Sequence, residues 1–476
     1  MKQLASVILL LAILYSTFFL SPGCANMIPP TGGPRDSIPP VLVNATPPDS
    51  ALRFNAKRIT LSFDEFIRVE NPGQALIVSP FPAQPPMVEG RLRSVVITLR
   101  DSLEPNTTYT LDFGNAIRDN NENNILRDFS YTFSTGNSLD SNSLSGSVLI
   151  AESGKVDSTM FVLLHRNLAD SAVSKERPRY VARVNSDGSF QFQNLPPGTF
   201  ALYALKDESG MRRYLSPTTL FAFNDEPVDI PYRGTAIKLR AFIDSIPEPE
   251  APVRPTTPAA TGVNAREGRV VPRMQLGNNL DNGTTQSLLD SLRITVNGAP
   301  LKTFDSTKIV LYSETYVPAP GHRVHLDTSR KIIFVSNKWI ENTTYNLVID
   351  RDFAEDTAGL KIPATDTITF KTRRTNEYGA VQLRFLNLDL SLNPLLQLVQ
   401  QDKVVHTFPL SSRVFSAELF EPGEYGLRIV LDANKNGKWD AGMFRNGIRR
   451  QPERVIFIER KVNVKANWDN DVDITL

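Results

Sequence analysis

NTTYTLDF at residues 106–113 returns as NTTYNLVI at residues 342–349. Each copy reads as a turn leading into an extended, alternating run. A second element travels with it: YTFST at 131–135 returns as ITFKT at 368–372, at nearly the same distance from the NTTY turn. An Asp- and Asn-rich connection separates the two elements, RDNNENN at 118–124 in one copy and RDFAEDTAG at 351–359 in the other. A whole module is therefore duplicated. We call it module A.

Around these anchors the chain keeps the same texture. RITLSF, SVVITLR and FSYTFST are short alternating runs bounded by Pro, Gly, Asn and Asp, and no long stretch past residue 37 places apolar residues at helical spacing. That is the pattern of half-buried strands in sandwiches of about 100 residues. A second repeat interleaves with the first. LPPGTFALYALKD at 195–207 matches FEPGEYGLRIVLD at 420–432 without a gap. Each has a Pro-Gly turn, an aromatic residue and then apolar residues at alternate positions. Phe200, Leu202 and Ala204 are expected on one strand face, and so are Tyr425, Leu427 and Ile429. We call this module B. SIPEPEAPVRPTTPAATG, residues 245–262, is too rich in proline and small polar residues to form a core and reads as an extended spacer. The expected class is all-β, in the order A-B-linker-A-B. Boundaries fall at 38–137, 144–243, 245–262, 270–375 and 376–476.

Composition narrows the function classes. The formal net charge is +1, with 52 basic against 51 acidic side chains and no basic block, so nucleic-acid binding through phosphate neutralisation is not expected. The N-terminus carries one Lys, an apolar run from Leu4 to Leu20, then small residues before Cys24, the only cysteine of the chain. The run is short for a bilayer span, and its flanks fit a secretory signal. A lone Cys in an exported chain cannot form an internal disulfide and calls for another explanation. Residues 24–37, rich in Pro and Gly, read as an extended tether.

These residues resemble known families. Residues 1–23 followed by Cys24 resemble a bacterial lipoprotein signal, with Gly23 as the small residue before the Cys; Ser21 and Pro22 depart from the usual pattern, as in looser Bacteroidetes versions. The stretch from PPVLVNATPPDS through FDEF, NTTY and YTFST, residues 38–136, resembles the SbsA-type Ig-like domain. The second copy keeps the late motifs only. Module B resembles the carboxypeptidase-regulatory or prealbumin-like sandwich, also seen as B-type repeats of bacterial surface proteins. Together they resemble Bacteroidetes Ig-like lipoproteins. The resemblance implies an outer-membrane protein lipidated at Cys24, with no acidic run after the Cys to direct surface export, so the periplasmic face is favoured.

Catalytic signatures are sparse. His322 and His325 lie three apart in HRVH and are expected on opposite strand faces; His165 and His406 stand alone. The chain has no H-E-x-x-H, Walker loop or G-x-S-x-G. Asp64 and Glu65 in FDEF are adjacent at a strand end and cannot flank one glycosidic bond. NTTY formally matches a glycosylation acceptor. Its recurrence in two modules favours a structural corner, with Tyr109 or Tyr345 packed inward and donating its hydroxyl to backbone.

DANKNGKWD at 432–440 leaves two readings open. Asp432, Asn434, Asn436 and Asp440, with the Lys438 carbonyl, match most of a calcium-loop spacing, and Gly437 stands at the sharp turn. Position 12 is Met443, so the bidentate Glu is missing and only weak Ca²⁺ affinity is expected. Asn436-Gly437 is also a strong hairpin signal, and the first copy builds its turn from Asp207, Ser209, Met211 and Arg212 instead. The expected function is a non-enzymatic, membrane-tethered scaffold, spacer or interaction module with an envelope protein or glycan as partner. A surface adhesin or carbohydrate-binding accessory is the alternative, and a sandwich glycosidase a remote one.

Overall fold

The computed structural model describes residues 35–72, 76–244, 273–445 and 447–476. Cys24, the signal, most of the tether and the proline-rich linker lie outside the described residues. Among the described residues no helix is long and apolar enough to cross a membrane. Among the described residues nearly all regular elements are strands, as the alternating runs require. The chain divides into two compact units. One comprises residues up to Leu144 with Arg179–Val181 and Phe192–Gly198; the other comprises Ser145–Pro178, Ala182–Gln191 and Thr199–Leu476.

The first unit holds the first A module. Strands Leu42–Thr46, Arg58–Phe63, Ser94–Thr98 and Met87–Arg91 form one antiparallel sheet in that order. Ile77–Ser79, Thr108–Gly114 and Phe129–Ser134 form the other. The alternate apolar residues meet between the sheets: Ile59, Leu61, Val95 and Ile97 from one, Leu111, Tyr131 and Phe133 from the other. Phe133 is sandwiched between Phe54 at 3.8 Å and Tyr109 at 5.2 Å between ring centroids.

The second A module, in the second unit, repeats the plan. Its sheets are Gln275–Asn278, Leu292–Asn297, Ile332–Ser336 and Arg323–Leu326, against Thr285–Gln286, Asp366–Thr372, Thr344–Ile349 and Ile309–Ser313. Both copies carry a small extra strand pair, Ile67–Val69 with Ile117–Asp119 and Leu301–Phe304 with Ala354–Asp356. The Asp-rich connections begin here. Buried Asp119 accepts the Asn121 and Glu122 N–H groups, and buried Asp356 those of Ala358 and Leu360. These carboxylates are turn caps.

The NTTY repeat is explained by a hydrogen-bonded corner built twice. Asn106 and Asn342 take left-handed φ of 49° and 52°, which Asn tolerates better than most residues. The next Thr N–H donates to the closing Thr of the F-x-T element: Thr107 to Thr135 at 3.0 Å, Thr343 to Thr372 at 2.9 Å. That same hydroxyl donates back, Thr135 to the Glu104 carbonyl and Thr372 to the Ile340 carbonyl. The Tyr hydroxyl closes the corner, but in the opposite sense to expectation. It accepts the backbone N–H five residues upstream, Glu104 to Tyr109 at 2.8 Å and Ile340 to Tyr345 at 3.5 Å. The upstream N–H precedes the strand, and the Tyr hydroxyl supplies it with an acceptor.

In both B modules the first and last strands are parallel neighbours. Gly146–Ile150 pairs with Ile237–Ala241, and Gly379–Leu386 with Asp469–Thr475. In the first copy Met160–His165 lies antiparallel to Ala201–Lys206, which pairs in turn with Phe221–Phe223. In the second, Lys403–Pro409, Pro394–Gln400, Gly423–Leu431 and Val455–Val464 lie in order. The expected core faces are inside: Phe200, Leu202, Ala204, Tyr425, Leu427 and Ile429 are all buried. The opposite faces are buried too, at Tyr203 and Leu205 in one copy and at Arg428 and Val430 in the other. A sandwich strand buried on both faces needs a second layer beyond its own sheet.

Candidate functional site

That second layer is the other B module, and the element that reaches it follows the DANKNGKWD turn. Met443–Arg445 and Ile448–Arg450 form a two-stranded hairpin. It carries Phe444 into an aromatic cluster of the first B module. The Phe444 ring lies 4.9 Å from Phe221, 5.1 Å from Phe223, 5.9 Å from Tyr203 and 6.1 Å from Tyr214, centroid to centroid. Glycine permits the approach: a Cβ on Gly442 would sit 2.5 Å from the Phe242 ring.

Polar contacts ring the aromatic centre. Arg445 pairs with Asp244 at 3.4 Å and Arg449 with Asp170 at 3.2 Å. Arg449 also donates to the Asn224 and Asp225 carbonyls and lies 5.1 Å over the Phe223 ring. Gln451 donates to the Phe223 carbonyl. At a second point Arg428 is buried. It donates to Gln397 Oε1 at 2.7 Å and to the Glu152 carbonyl, with the Glu152 carboxylate 3.6 Å away. Burial pulls the Arg428 pKa down, and Glu152 opposes that pull.

The turn is compact and self-bonded. Asp432 is only 1% exposed; its carboxylate accepts N–H from Asn436 at 3.2 Å and Gly437 at 2.8 Å. Gly437 takes φ +74°, which suits glycine. Asn434 and Asn436 donate their side-chain amides to Asp440, and the Asn436 side-chain oxygen accepts the Lys438 N–H. The calcium-spaced residues are thus together, although the Asn side chains turn nitrogen toward Asp440. Glu453 completes the arrangement and was invisible in the loop spacing. It accepts the Ala433 N–H at 2.9 Å and the Asp440 N–H at 3.0 Å. Burial pushes its pKa up; the two N–H groups pull it down, and the charges of Asp440 and Asp432 push it up again. The donors are hard oxygens, the type Ca²⁺ takes. Among the described residues, however, no three His, Cys, Asp or Glu side chains converge as a preformed metal group.

The first copy handles the equivalent carboxylate differently. Asp207 accepts N–H groups from Ser209, Gly210 and Arg212, and the Arg212 guanidinium at 2.7 Å. Arg212 also stacks 3.6 Å from the Phe161 ring centroid. Burial raises the Asp207 pKa, but the bonds from Ser209 and Arg212 outweigh it and leave it low. Arg212 aligns with Gly437. One copy therefore supplies a built-in cation to its buried carboxylate, whereas no Lys or Arg among the described residues pairs with Asp432.

The remaining candidates are structural. His165 is buried beside Tyr203, and burial pushes its pKa down to about 4. His325 stacks on Phe334 and His406 packs among Phe408, Phe420 and Tyr425. His322 precedes the strand Arg323–Leu326 and bonds the Ala319 carbonyl, so the expected alternation does not apply to it. Asp64, just past its strand, accepts the Val41 N–H at 2.8 Å and ties the edge strand.

A family model described as a bacterial Ig-like domain matches residues 36–135. No curated protein matches the chain. Among solved structures, the Bacillus anthracis TIE protein shares 10% identity over 94% of this chain and 75% of its own, with a TM-score of 0.16. BcpA, the major pilin subunit of Bacillus cereus, shares 10% over 70% of this chain and 98% of its own, also at 0.16. The N-terminal part of the bacterial S-layer protein SbsC shares 12% over 40% and 43%, at 0.15. Scores this low add nothing to what the strands show. The fold rests on the strands and the family match: an all-β array of sandwiches whose first module, residues 36–135, matches a bacterial Ig-like domain.

Proposed function

We propose that the protein is a non-enzymatic envelope scaffold of Bacteroidetes type, lipidated at Cys24 and held at the outer membrane, facing the periplasm. The seam between the two B modules carries the scaffold reading. A chain of independent sandwiches would flex at each linker, whereas here Phe444, Arg445 and Arg449 fasten modules more than 200 residues apart. The repeated motifs spend their polar groups on their own corners. The single Cys24 after an apolar run supports the anchor. An adhesin or carbohydrate-binding role on the outer face is the competing reading.

Membrane fractionation with a fatty-acid label tests the anchor. Label and membrane association are expected in the wild type, with loss of label on Cys24→Ala; an unlabelled, freely soluble wild type overturns it. Protease added to intact cells decides the face, since digestion refutes a periplasmic location. One stoichiometric membrane partner in detergent pull-downs is expected of a scaffold.

A weak structural Ca²⁺ site at Asp432, Asn434, Asn436, Lys438 and Asp440, with Glu453 added, forms part of the same proposal. Its support is the buried Asp432, which lacks the cation that Arg212 gives Asp207.

A further inference from the structure

The exposed apolar residues of the first A module gather at one end. Antiparallel pairing brings the start of Leu42–Thr46, the end of Arg58–Phe63, the start of Ser94–Thr98 and the end of Met87–Arg91 to the same edge of their sheet. Ile38, Val41, Val43, Phe66 and Leu92 stand exposed there, whereas among the module's described residues the opposite end exposes Leu52 and Met87. Backbone bonds tie the group together. The Asp64 N–H donates to the Val41 carbonyl at 3.1 Å, the Ile67 N–H to the Leu92 carbonyl at 2.9 Å, and the Asn124 side-chain amide to the Ile38 carbonyl at 3.1 Å.

Two of these residues are at odds with their local backbone. Val43 falls in the bulge between Leu42 and Asn44 and is 67% exposed. Leu92 opens the two-residue turn between Arg91 and Ser94 at φ +54° and is 76% exposed. Asn or Gly fits that turn conformation better. Neither residue belongs to the module's core. A cluster of apolar side chains held out in this way marks a contact surface for another body.

Chain length and charge name that body. Arg35 lies at this same end, where its guanidinium donates to the Glu122 carbonyl at 3.0 Å. Cys24 stands eleven residues earlier, a reach of at most about 40 Å even for a fully extended chain. With Cys24 lipidated, this end of the module is held within that distance of the bilayer. The field at this end is negative: burial raises the Glu65 pKa, and the charges of Asp119, Asp64, Asp36 and Glu122 raise it further. Of the arginines present, Arg91 is paired with Glu89, and Arg93 lies 4.9 Å over the Phe66 ring. An anionic lipid surface is repelled by such a field, whereas a zwitterionic one is not.

We propose that this end of the first A module docks on a zwitterionic lipid surface, with Ile38, Val41, Val43, Phe66 and Leu92 entering the headgroup boundary. The proposal rests on the lipid-anchor reading for its geometry and adds what the module does once anchored. A few exposed side chains bind a bilayer weakly; the tether makes the encounter intramolecular, so weak contact suffices to orient the module.

The test has two arms. In the first, the lipidated chain is reconstituted in phosphatidylcholine vesicles and depth is read by brominated-lipid quenching. Leu92→Trp is expected to add a quenched emission, and Leu52→Trp at the opposite end an unquenched one. In the second, the chain from residue 24 onward with Cys24→Ala, which has no acyl group, is floated with the same vesicles at millimolar lipid. Val43→Thr together with Leu92→Asn suits both backbone positions and removes the apolar contact. This pair is expected to lower flotation about ten-fold or more without lowering the melting temperature, and Leu52→Asn is expected to leave flotation unchanged. Phosphatidylglycerol is expected to weaken binding, and a gain overturns the zwitterionic assignment. No quenching at position 92 in a chain held by its acyl groups overturns docking and leaves the anchor standing. An unlabelled wild type whose acyl-free form still floats through Val43 and Leu92 overturns the anchor and upholds docking. Flotation that is absent, or indifferent to the paired variant, overturns the proposal. So does dimerisation lost in that variant without any lipid binding, which assigns the surface to a second copy of the chain.

Discussion

Phe444→Ala separates docking from folding. The ring is 7% exposed, and its aromatic neighbours Tyr203, Tyr214, Phe221 and Phe223 all belong to the first B module, not its own. Truncating a buried Phe costs about 3–5 kcal/mol. Because the lost contacts cross the seam, that cost falls on the docked hairpin. Taking about 3–4 kcal/mol and about 1.4 kcal/mol per decade, opening of the hairpin rises roughly 10²- to 10³-fold. Native-state hydrogen exchange of the full chain reads this directly. Protection is expected to fall by that factor in Met443–Arg445 and Ile448–Arg450, while the central strand Gly379–Leu386 keeps its exchange rate. Phe420→Ala supplies the contrast: Phe420 lies in the second B core, and its loss is expected to raise exchange throughout that module. Unchanged hairpin exchange in Phe444→Ala, or loss of protection in Gly379–Leu386 equal to that in the hairpin, refutes the seam argument.

Three further outcomes are expected. Millimolar Ca²⁺ raises the melting temperature of the full chain relative to chelator, and Glu453→Gln shrinks the difference; identical midpoints in calcium and chelator remove the metal reading. Tyr109→Phe destabilises the first A module by about 1–2 kcal/mol in denaturant unfolding, because a backbone N–H loses its acceptor. Tyr345→Phe costs less, its bond being 3.5 Å against 2.8 Å, and a larger loss at Tyr345 contradicts the corner geometry. His165, held neutral by burial down to about pH 4, binds fewer protons folded than unfolded between about pH 6.5 and 4. Stability therefore falls as pH falls through that window, by at most on the order of 3 kcal/mol. His165→Leu flattens the curve there, and an unchanged slope places the titration elsewhere.

The corner and the sandwiches were legible because their causes are local. NTTY, the closing F-x-T and the Pro-Gly-aromatic turn act within one module, and each had a second copy as a control. The seam was not legible, because Phe444 finds its partners more than 200 residues upstream. One trace of it stood in the sequence. FALYALK at 200–206 is apolar on both faces, and so is FAF at 221–223. Unbroken apolar runs mark strands covered on two sides, whereas alternation alone accounts for one. Glu453 escaped for a similar reason. Its spacing from Asp440 belongs to no loop motif, and only the return of the chain after the hairpin brings it to the turn.

The two B copies differ in one respect that connects turn and seam. In the first, Arg212 closes the turn on Asp207 and packs on Phe161, so the chain that follows is pinned to its own sandwich, leading to Tyr214 and its bond to Val173. In the second, Gly437 replaces that arginine, Glu453 receives the turn's N–H groups from the far side, and between them the strands Met443–Arg445 and Ile448–Arg450 reach outward. Tyr214 and Phe444, each following the equivalent turn of its own copy, then face each other across the seam. A cation bound among Asp432, Asp440 and Glu453 would hold both feet of this excursion at once. Calcium is therefore expected to slow exchange in the hairpin more than in the core of its own module. That coupling distinguishes a metal acting on docking from one that merely tightens a turn.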